Sequence, residues 1–413
     1  MALPSRFWRF YSSSATSNLA DGIGRTALPL LGASYTRSPV LISGLVSFAF
    51  LPWLLFALAS GALVDRCDRR YAMSVANALR AITSAGLAVL VLTDSASIVT
   101  IYAASFLLGL AETVYDSASR AILPQVVASS DLDRANSLLT VEETLGQTFL
   151  GAPVGSVLFA MAVSIPLVLN ASGFAIAALL VLTLRGSYRP VRDTAPGSIR
   201  QEMRDGVRWL RAHVFLRSLT LLSATSALSG GMVSGVLVLY CLEVLRLPSG
   251  DFGLVLLAAG AGGILGGIAS PACARRFGRG PVLVFGGVLT GVTTFAMGLT
   301  HNGYVGGLLF AISAAGVMVW NVLTISLRQA LIPQHLFGRV QGAYRTLVWG
   351  AIAAGAPIAG VIADRTSIAA VLCVAGAGLT LTAVWLARLT AAHRSELDFD
   401  SAEPGVLSST GAA

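Results

Sequence analysis

Apolar stretches of about 20 residues recur along nearly the whole chain, and each is long enough to cross a hydrocarbon layer of roughly 30 Å as a helix. With 55% hydrophobic residues, 12% charged residues and a mean hydropathy of +0.76, these 413 residues carry more apolar surface than one soluble core can hide. Lipid is therefore the solvent the sequence requires. Lipid cannot hydrogen-bond a backbone, so segments of this length satisfy their own N–H and C=O groups as helices rather than barrel strands. The expected fold is an all-α integral membrane protein.

Reading apolar runs between loop signals places spans 1 to 6 at about 12–35, 39–64, 71–93, 97–119, 134–159 and 163–185, and spans 7 to 12 at about 214–240, 251–273, 281–300, 303–326, 341–363 and 367–388. Three landmarks repeat in order. Asp65-Arg66-Cys67-Asp68-Arg69-Arg70 after span 2 corresponds to Arg275-Arg276-Phe277-Gly278-Arg279-Gly280 after span 8. Arg120 with Pro124 closes span 4 as Arg328 with Pro333 closes span 10, and Gly151-Ala152-Pro153 matches Gly355-Ala356-Pro357. Twelve spans thus divide into two pseudo-symmetric six-helix bundles, residues 1–185 and 214–390. Between them, 186–213 forms a linker in which SIRQEMRDGVRWLRAH reads as an amphipathic helix. Its Arg200, Arg204, Arg208 and Arg211 share one stripe, and Ile199, Met203, Val207 and Leu210 face lipid or protein. The polar tail, 391–413, is expected to be disordered and cytoplasmic.

Every one of the 28 basic residues is arginine, and the net charge is +8. With the N-terminus in the cytoplasm, about 22 arginines fall on cytoplasmic segments and only Arg37, Arg246 and Arg365 outside, which places both termini inside. Arginines confined to short loops set topology and make no nucleic-acid site. Cys67, Cys241, Cys273 and Cys373 are scattered, without CxxC or a ligand-spaced histidine, so neither a disulfide framework nor a metal site is expected. Asp21 and Arg25 interrupt the first apolar run, which reads as a retained helix rather than a signal peptide. No cofactor is implied. The glycine-rich GAGGILGG at 260–267 suits close helix crossings, and a chain without lysine has no Walker motif, so it is not an ATPase by itself.

The segment GALVDRCDRR, Gly61 to Arg70, resembles the loop motif between helices 2 and 3 of the major facilitator superfamily. Further stretches resemble the bacterial exporter branch that includes enterobactin exporters and macrolide efflux proteins: Ser17-Asn18-Leu19-Ala20-Asp21-Gly22 with Ala27-Leu28-Pro29-Leu30, Leu51-Pro52-Trp53, and SRAILPQVV with RANSL. The resemblance covers almost the entire chain. It implies a multi-pass bacterial inner-membrane transporter in which two bundles rock about a cavity lined mainly by spans 1, 4, 7 and 10, and it suggests proton-coupled export. It also implies that Gly61, Asp65, Arg66, Asp68, Arg69 and Arg70 gate the inner mouth, with Asp68 capping or pairing locally. Two departures weaken a transfer of mechanism: the second copy of the loop motif lacks acids, and span 4 lacks the mid-helix basic residue of the larger drug:proton antiporter families.

Charges within the membrane mark function, because each costs at least a few kcal/mol there. By the predicted boundaries Asp21 lies roughly 13 Å and Glu112 roughly 11 Å from the cytoplasmic ends of their spans, so they can meet at one level. Arg25 follows Asp21, and Asp116 follows Glu112, by four residues, which gives each pair one helical face. Desolvation favours a protonated carboxyl and a nearby guanidinium the ionised one, so opening to water on alternate sides shifts the balance. Asp21 and Glu112 are the leading protonation candidates, with Arg25 modulating them and Asp116 nearer the gate. A static ion pair of Asp21 with Arg25 or Arg80 is the structural alternative. Glu142 and Glu143 reach similar depth but point about 100° apart, so at most one faces the cavity. Arg345 is placed either to pair across the bundle interface or to snorkel.

Asn18, Tyr115, Trp320 and Asn321 are the remaining cavity candidates, giving a wall acidic on one side and apolar-aromatic on the other that suits an amphipathic or cationic organic compound. Export of a drug or secreted metabolite is the leading reading, import on the same fold the second. A membrane enzyme or sensor is remote, since His213, His301, His335 and His393 lie in loops or near ends and no nucleophile–base pair stands out. The expected partners are a small-molecule substrate, protons and lipid, with a monomer as the functional unit.

Overall fold

Twelve long helices and one short amphipathic helix make up the computed structural model, which describes residues 3–64, 66–189 and 199–393. The first bundle holds α1 (Ser5–Tyr35), α2 (Pro39–Val64), α3 (Arg69–Leu92), α4 (Ile98–Val126), α5 (Leu132–Met161) and α6 (Ser164–Leu182). The linker helix, Ile199–Ala212, leads into α7 (Val214–Val244), α8 (Phe252–Phe277), α9 (Arg279–Met297), α10 (Gly303–Leu331), α11 (Gln334–Arg365) and α12 (Ile368–Ala392). Eleven of the described helices are long and apolar enough to cross a bilayer; α1 has the length, at 31 residues, but its polar run through Asp21 and Arg25 leaves it less apolar than the rest. No strand occurs among the described residues.

Hydropathy marks where lipid ends, whereas a helix ends where its hydrogen bonds do, and several helices outrun their predicted spans. Helix α1 begins seven residues early, at Ser5, and α11 begins at Gln334 behind Pro333. Helix α4 continues through Pro124 to Val126. Starts follow local chemistry: Ser97 and Thr100 form a reciprocal capping box at α4, the Asn302 side chain accepts from the N–H groups of Tyr304 and Val305, and Ser367 caps α12. The sharp α8–α9 turn passes through Gly278 at φ +85°, a conformation that side-chain-bearing residues rarely adopt.

Both described chain ends lie on one face, hereafter the terminal face. Arg9 of α1 donates to the Thr183 carbonyl after α6, and Phe215 opening α7 meets His393 after α12 at 5.4 Å between ring centroids. On the opposite face the bundles share one buried core, in which Leu30, Leu31 and Ile42 join Val236, Tyr240, Phe252, Ala359 and Leu372. The two other cores each belong to a single bundle: Phe7, Phe10, Met73 and Ile122 in the first, Phe215, Leu283, Trp320 and Leu327 in the second. The bundles are thus sealed together away from the termini and separately packed toward them.

Polar ties follow the same division. Ser47 donates to the Ala353 carbonyl at 2.9 Å, Ser156 to the Gly250 carbonyl at 2.7 Å, and Arg37 faces Glu243 at 3.9 Å, each joining the two bundles toward the sealed face. The linker helix rests on α11 and α7, and its Trp209 and Leu210 pack against the second bundle's core while Arg208 and Arg211 stay exposed. Leu210 of its apolar stripe therefore meets protein. Linker residues 190–198 and tail residues 394–413 lie outside the described residues, as does Asp65 of the loop motif.

Candidate functional site

A cavity of about 560 Å³ lies between the bundles. Its wall comes from α1 (Asp21, Arg25), α2 (Phe50, Trp53), α4 (Ser105, Glu112), α6 (Asn170, Phe174), α7 (Ser234, Val238), α8 (Phe252, Leu256) and α11 (Trp349, Ile352). Spans 1, 4 and 7 contribute as expected; span 10 does not, and α2 and α11 do so instead. Close crossings set this geometry. The Gly22 and Gly151 backbones meet where α1 crosses α5, and Gly109 of α4 lies against Ala49 of α2, in each case with no room for a Cβ.

Asp21 stands 16 residues into α1 and Glu112 14 residues before the end of α4, about 24 and 21 Å from the terminal ends at 1.5 Å per residue. They share a level, as the sequence implies, and stand farther from the helix ends than the predicted spans give, because both helices run past their apolar limits. The sequence pairs Asp21 with Arg25 by spacing; the structure pairs each across helices. Arg25 Nη2 meets Glu112 Oε1 at 2.8 Å, with the side chains 58% and 23% exposed. Arg80 Nη1, on α3, meets Asp21 Oδ2 at 3.2 Å and also donates to Ser17 Oγ at 3.3 Å.

These two pairs sit in different surroundings. The Arg80 side chain is 1% exposed, with its guanidinium 5.1 Å from both the Tyr115 and Phe174 ring centroids. Stripped of its carboxylate, such a charge would cost several kcal/mol, and the Asp21–Arg80 pair ties α1 to α3 within the first bundle. Arg25 and Glu112 open onto the cavity, where water or a solute can compete for either partner. The charged groups on the cavity wall are thus Asp21, Glu112 and Arg25, with Arg80 buried behind Asp21. Two acids and one arginine face the cavity from the first bundle, the side the sequence expects to be acidic.

The other acids do not reach this cavity. Asp116 pairs with Arg120 at 3.6 Å, one turn on, and both line a smaller cavity of about 140 Å³ nearer the terminal face, with Asn18, Tyr115, Glu142 and Glu143. Glu142 is 5% exposed and accepts from Asn18 Nδ2 at 3.1 Å, while Asn18 Oδ1 accepts from Gln147 Nε2 at 2.8 Å; Glu143 is exposed. Neither glutamate lines the central cavity, because α5 turns both toward the groove between α1 and α4. Arg345, half-buried on α11, stands within electrostatic reach of Asp116 and Arg120 across the bundle interface.

The loop motif binds within its own bundle. Asp68 caps α3 by accepting from the Arg70 N–H at 3.0 Å, and its other oxygen accepts from the Tyr188 N–H at 3.2 Å. Arg69 donates to the Ala121 carbonyl of α4 at 2.8 Å and Arg70 to the Leu184 carbonyl just after α6 at 2.7 Å. Arg66 is exposed and Gly61 borders open space. The bonds of Asp68, Arg69 and Arg70 all stay on the first bundle's side.

Trp320 is 9% exposed inside the second bundle's core, and Asn321 is exposed; neither lines the central cavity, since α10 turns Trp320 inward among Phe215, Leu283 and Leu327. The aromatic wall comes from elsewhere. Trp53 of α2 and Trp349 of α11 stack at 5.1 Å and 13° between planes, with Phe50 tilted against Trp349 at 5.5 Å. Sequence reasoning missed this trio. The only signal was Leu51-Pro52-Trp53, which carries the family resemblance but not its direction.

Two six-helix bundles, a charged cavity between them and glycine-rich crossings define a membrane transporter of the major facilitator fold. The transmembrane secretion effector family matches residues 5–407, and the chain belongs to it, within the bacterial exporter branch of the superfamily. It is 27% identical over 371 residues to the multidrug efflux pump Tap of Mycolicibacterium fortuitum, covering 86% of this chain and 88% of that one. Tap of Mycobacterium tuberculosis (strain ATCC 25618 / H37Rv) is 25% identical over 389 residues, covering 91% of each. Among solved structures, the nucleoside transporter NupG superposes with a TM-score of 0.74 at 13% identity, over 94% of this chain and 99% of that one. A bacterial homologue of the iron transporter ferroportin in its inward-facing state superposes at 0.71 and 17% identity, over 93% and 97%. The fold and family are those of a multi-pass transporter of the bacterial inner membrane, and not of an enzyme.

Proposed function

We propose that this chain is a proton-driven exporter of a small amphipathic organic compound, working by alternating access. The observation that carries this reading is the Arg25–Glu112 pair, a 2.8 Å ion pair set in the middle third of α1 and α4 and open to the cavity between the bundles. A carboxylate so placed can bind a proton, Arg25 or a cationic group of the solute, but only one at a time. Competition at one site makes proton and solute exclude each other, which is the linkage an exchanger needs. Asp21, tied to Arg80, serves as the second protonation site or as the fixed end of the network, and Asp116, Glu142 and Glu143 form the proton's route from the terminal face.

In this reading the units 1–185 and 214–390 rock on the linker 186–213, with both termini cytoplasmic. Arginine distribution supports that orientation. The relatives' description as multidrug efflux pumps supports the direction. The conformer sealed away from the termini is then the one open to the cytoplasm.

Accumulation of amphipathic fluorescent cations in cells expressing the protein, with and without a protonophore, tests the proposal beside a Glu112→Gln variant. Lowered accumulation that both the protonophore and the variant abolish is the expected result. Raised accumulation overturns export in favour of import. Lowered accumulation indifferent to both treatments overturns proton coupling.

A further inference from the structure

The acids that line the cavity are each already paired, Glu112 with Arg25 and Asp21 with the buried Arg80, so charge alone says little about the shape of the solute. The tryptophans say more. Trp53 and Trp349 stand on α2 and α11, which belong to different bundles, and their indoles lie within 13° of parallel at 5.1 Å on the wall of the central cavity. Phe50 supports Trp349 from one side at 5.5 Å. Gly350, beside Trp349, lies against the Leu54 side chain, which holds α11 close to α2 at this level.

We infer that this indole pair, shared between the bundles, is the element that recognises the transported compound, and that it selects a planar aromatic ring system carrying delocalised positive charge. The inference rests on the transport reading above and narrows its solute. Indole faces carry the negative side of the ring quadrupole and attract cations in a desolvated site, and near-parallel planes stack flat rings in preference to branched or saturated groups. Because the partners belong to separate bundles, any rocking motion changes the gap between them. A flat ring entering the stack takes the place of one indole on the other. The bundles therefore register occupancy directly, while Glu112 lies on the same cavity wall for a solute's charged group.

Equilibrium binding to the purified full chain in lipid nanodiscs, with no gradient present, tests this apart from coupling or direction. Ethidium serves as the flat aromatic cation and tetrapropylammonium as the saturated one, both followed by calorimetry. The wild type should bind ethidium saturably and at least tenfold more tightly than tetrapropylammonium. Trp349→Leu and Trp53→Leu should each weaken ethidium about tenfold and leave tetrapropylammonium unchanged, and Trp349→Phe should recover most of the loss. A thermal unfolding midpoint for Trp349→Phe within a few degrees of wild type keeps the comparison valid if a leucine variant fails to fold. Absence of ethidium binding by the wild type, equal losses for both cations, or wild-type affinity in the leucine variants overturns the assignment. Ethidium binding that survives where proton-coupled export fails would leave the aromatic site standing and sink only the transport reading.

Discussion

Arg80 and Asp21 meet at 3.2 Å between α3 and α1, and the arginine side chain is almost wholly enclosed, at 1% exposure. Lipid lies outside the bundle and aromatic rings lie around the guanidinium, so the carboxylate is its counter-charge. Ser17 and the Tyr115 and Phe174 faces lessen the desolvation but do not neutralise it.

Asp21→Asn should therefore destabilise the protein by about 3–5 kcal/mol, the range for stranding one partner of a buried pair. Adding Arg80→Met should restore most of that loss, since an apolar side chain of similar length fills the same space. Thermal unfolding in detergent measures both. An Asp21→Asn variant as stable as wild type would show that Asp21 does not lock the bundle, and would return it to first place among the proton carriers.

The Arg25–Glu112 pair predicts the opposite pattern. Its members are 58% and 23% exposed, and pairs in contact with water contribute roughly 0–1 kcal/mol. Glu112→Gln should leave the unfolding midpoint nearly unchanged while gradient-driven transport into inverted vesicles falls at least tenfold. Counterflow, which needs no proton, should weaken through the lost ionic contact to the solute but persist. Loss of counterflow together with gradient-driven transport would make Glu112 a solute-binding group only.

The sealed face rests on small residues that a single methyl group can disturb. A Cβ on Gly253 of α8 would collide with the Ala152 carbonyl and Ser156 of α5, whereas one on Gly263 would meet nothing closer than the Met318 Cε at 3.8 Å. Gly253→Val should hold the bundles apart on that face, raise the separation of spin labels at Ser38 and Leu247 by several Å and stop transport. Gly263→Ala, on the same helix, should match wild type in both measurements. An unchanged label distance in Gly253→Val would mean that this contact does not seal the face.

Much of this architecture is legible in the sequence, because lipid imposes it. Helicity and span length follow from burying backbone in hydrocarbon, and eleven of the described helices satisfy that rule on length and composition alone. Helix rotation is not so constrained. Spacing of four residues puts Asp21 and Arg25 on one face of α1, yet their partners, Arg80 and Glu112, are chosen by how α3 and α4 are turned toward it. Rotation also buries Trp320 and brings Trp349 to the cavity, although both are lone tryptophans in apolar helices. The start of α1 escapes hydropathy for a separate reason: the helix continues to Ser5 through residues that hydropathy assigns to water.

The loop motif yields the last prediction. Arg69 donates to the Ala121 carbonyl near the end of α4, and Arg70 to Leu184 just beyond α6. The C-terminal end of a helix carries the negative end of its dipole, which favours a guanidinium at both places. Arg69→Gln and Arg70→Gln should each lower stability by about 1–2 kcal/mol, the worth of a charge-assisted bond discounted for partial exposure. Because these bonds stay inside one bundle, spin-label distances between α2 and α11 should not change. A gate would show the reverse: altered distances at unaltered stability. That result would require the motif's Asp65 side to bind the second bundle and would move Arg69 and Arg70 from bracing a bundle to closing a mouth.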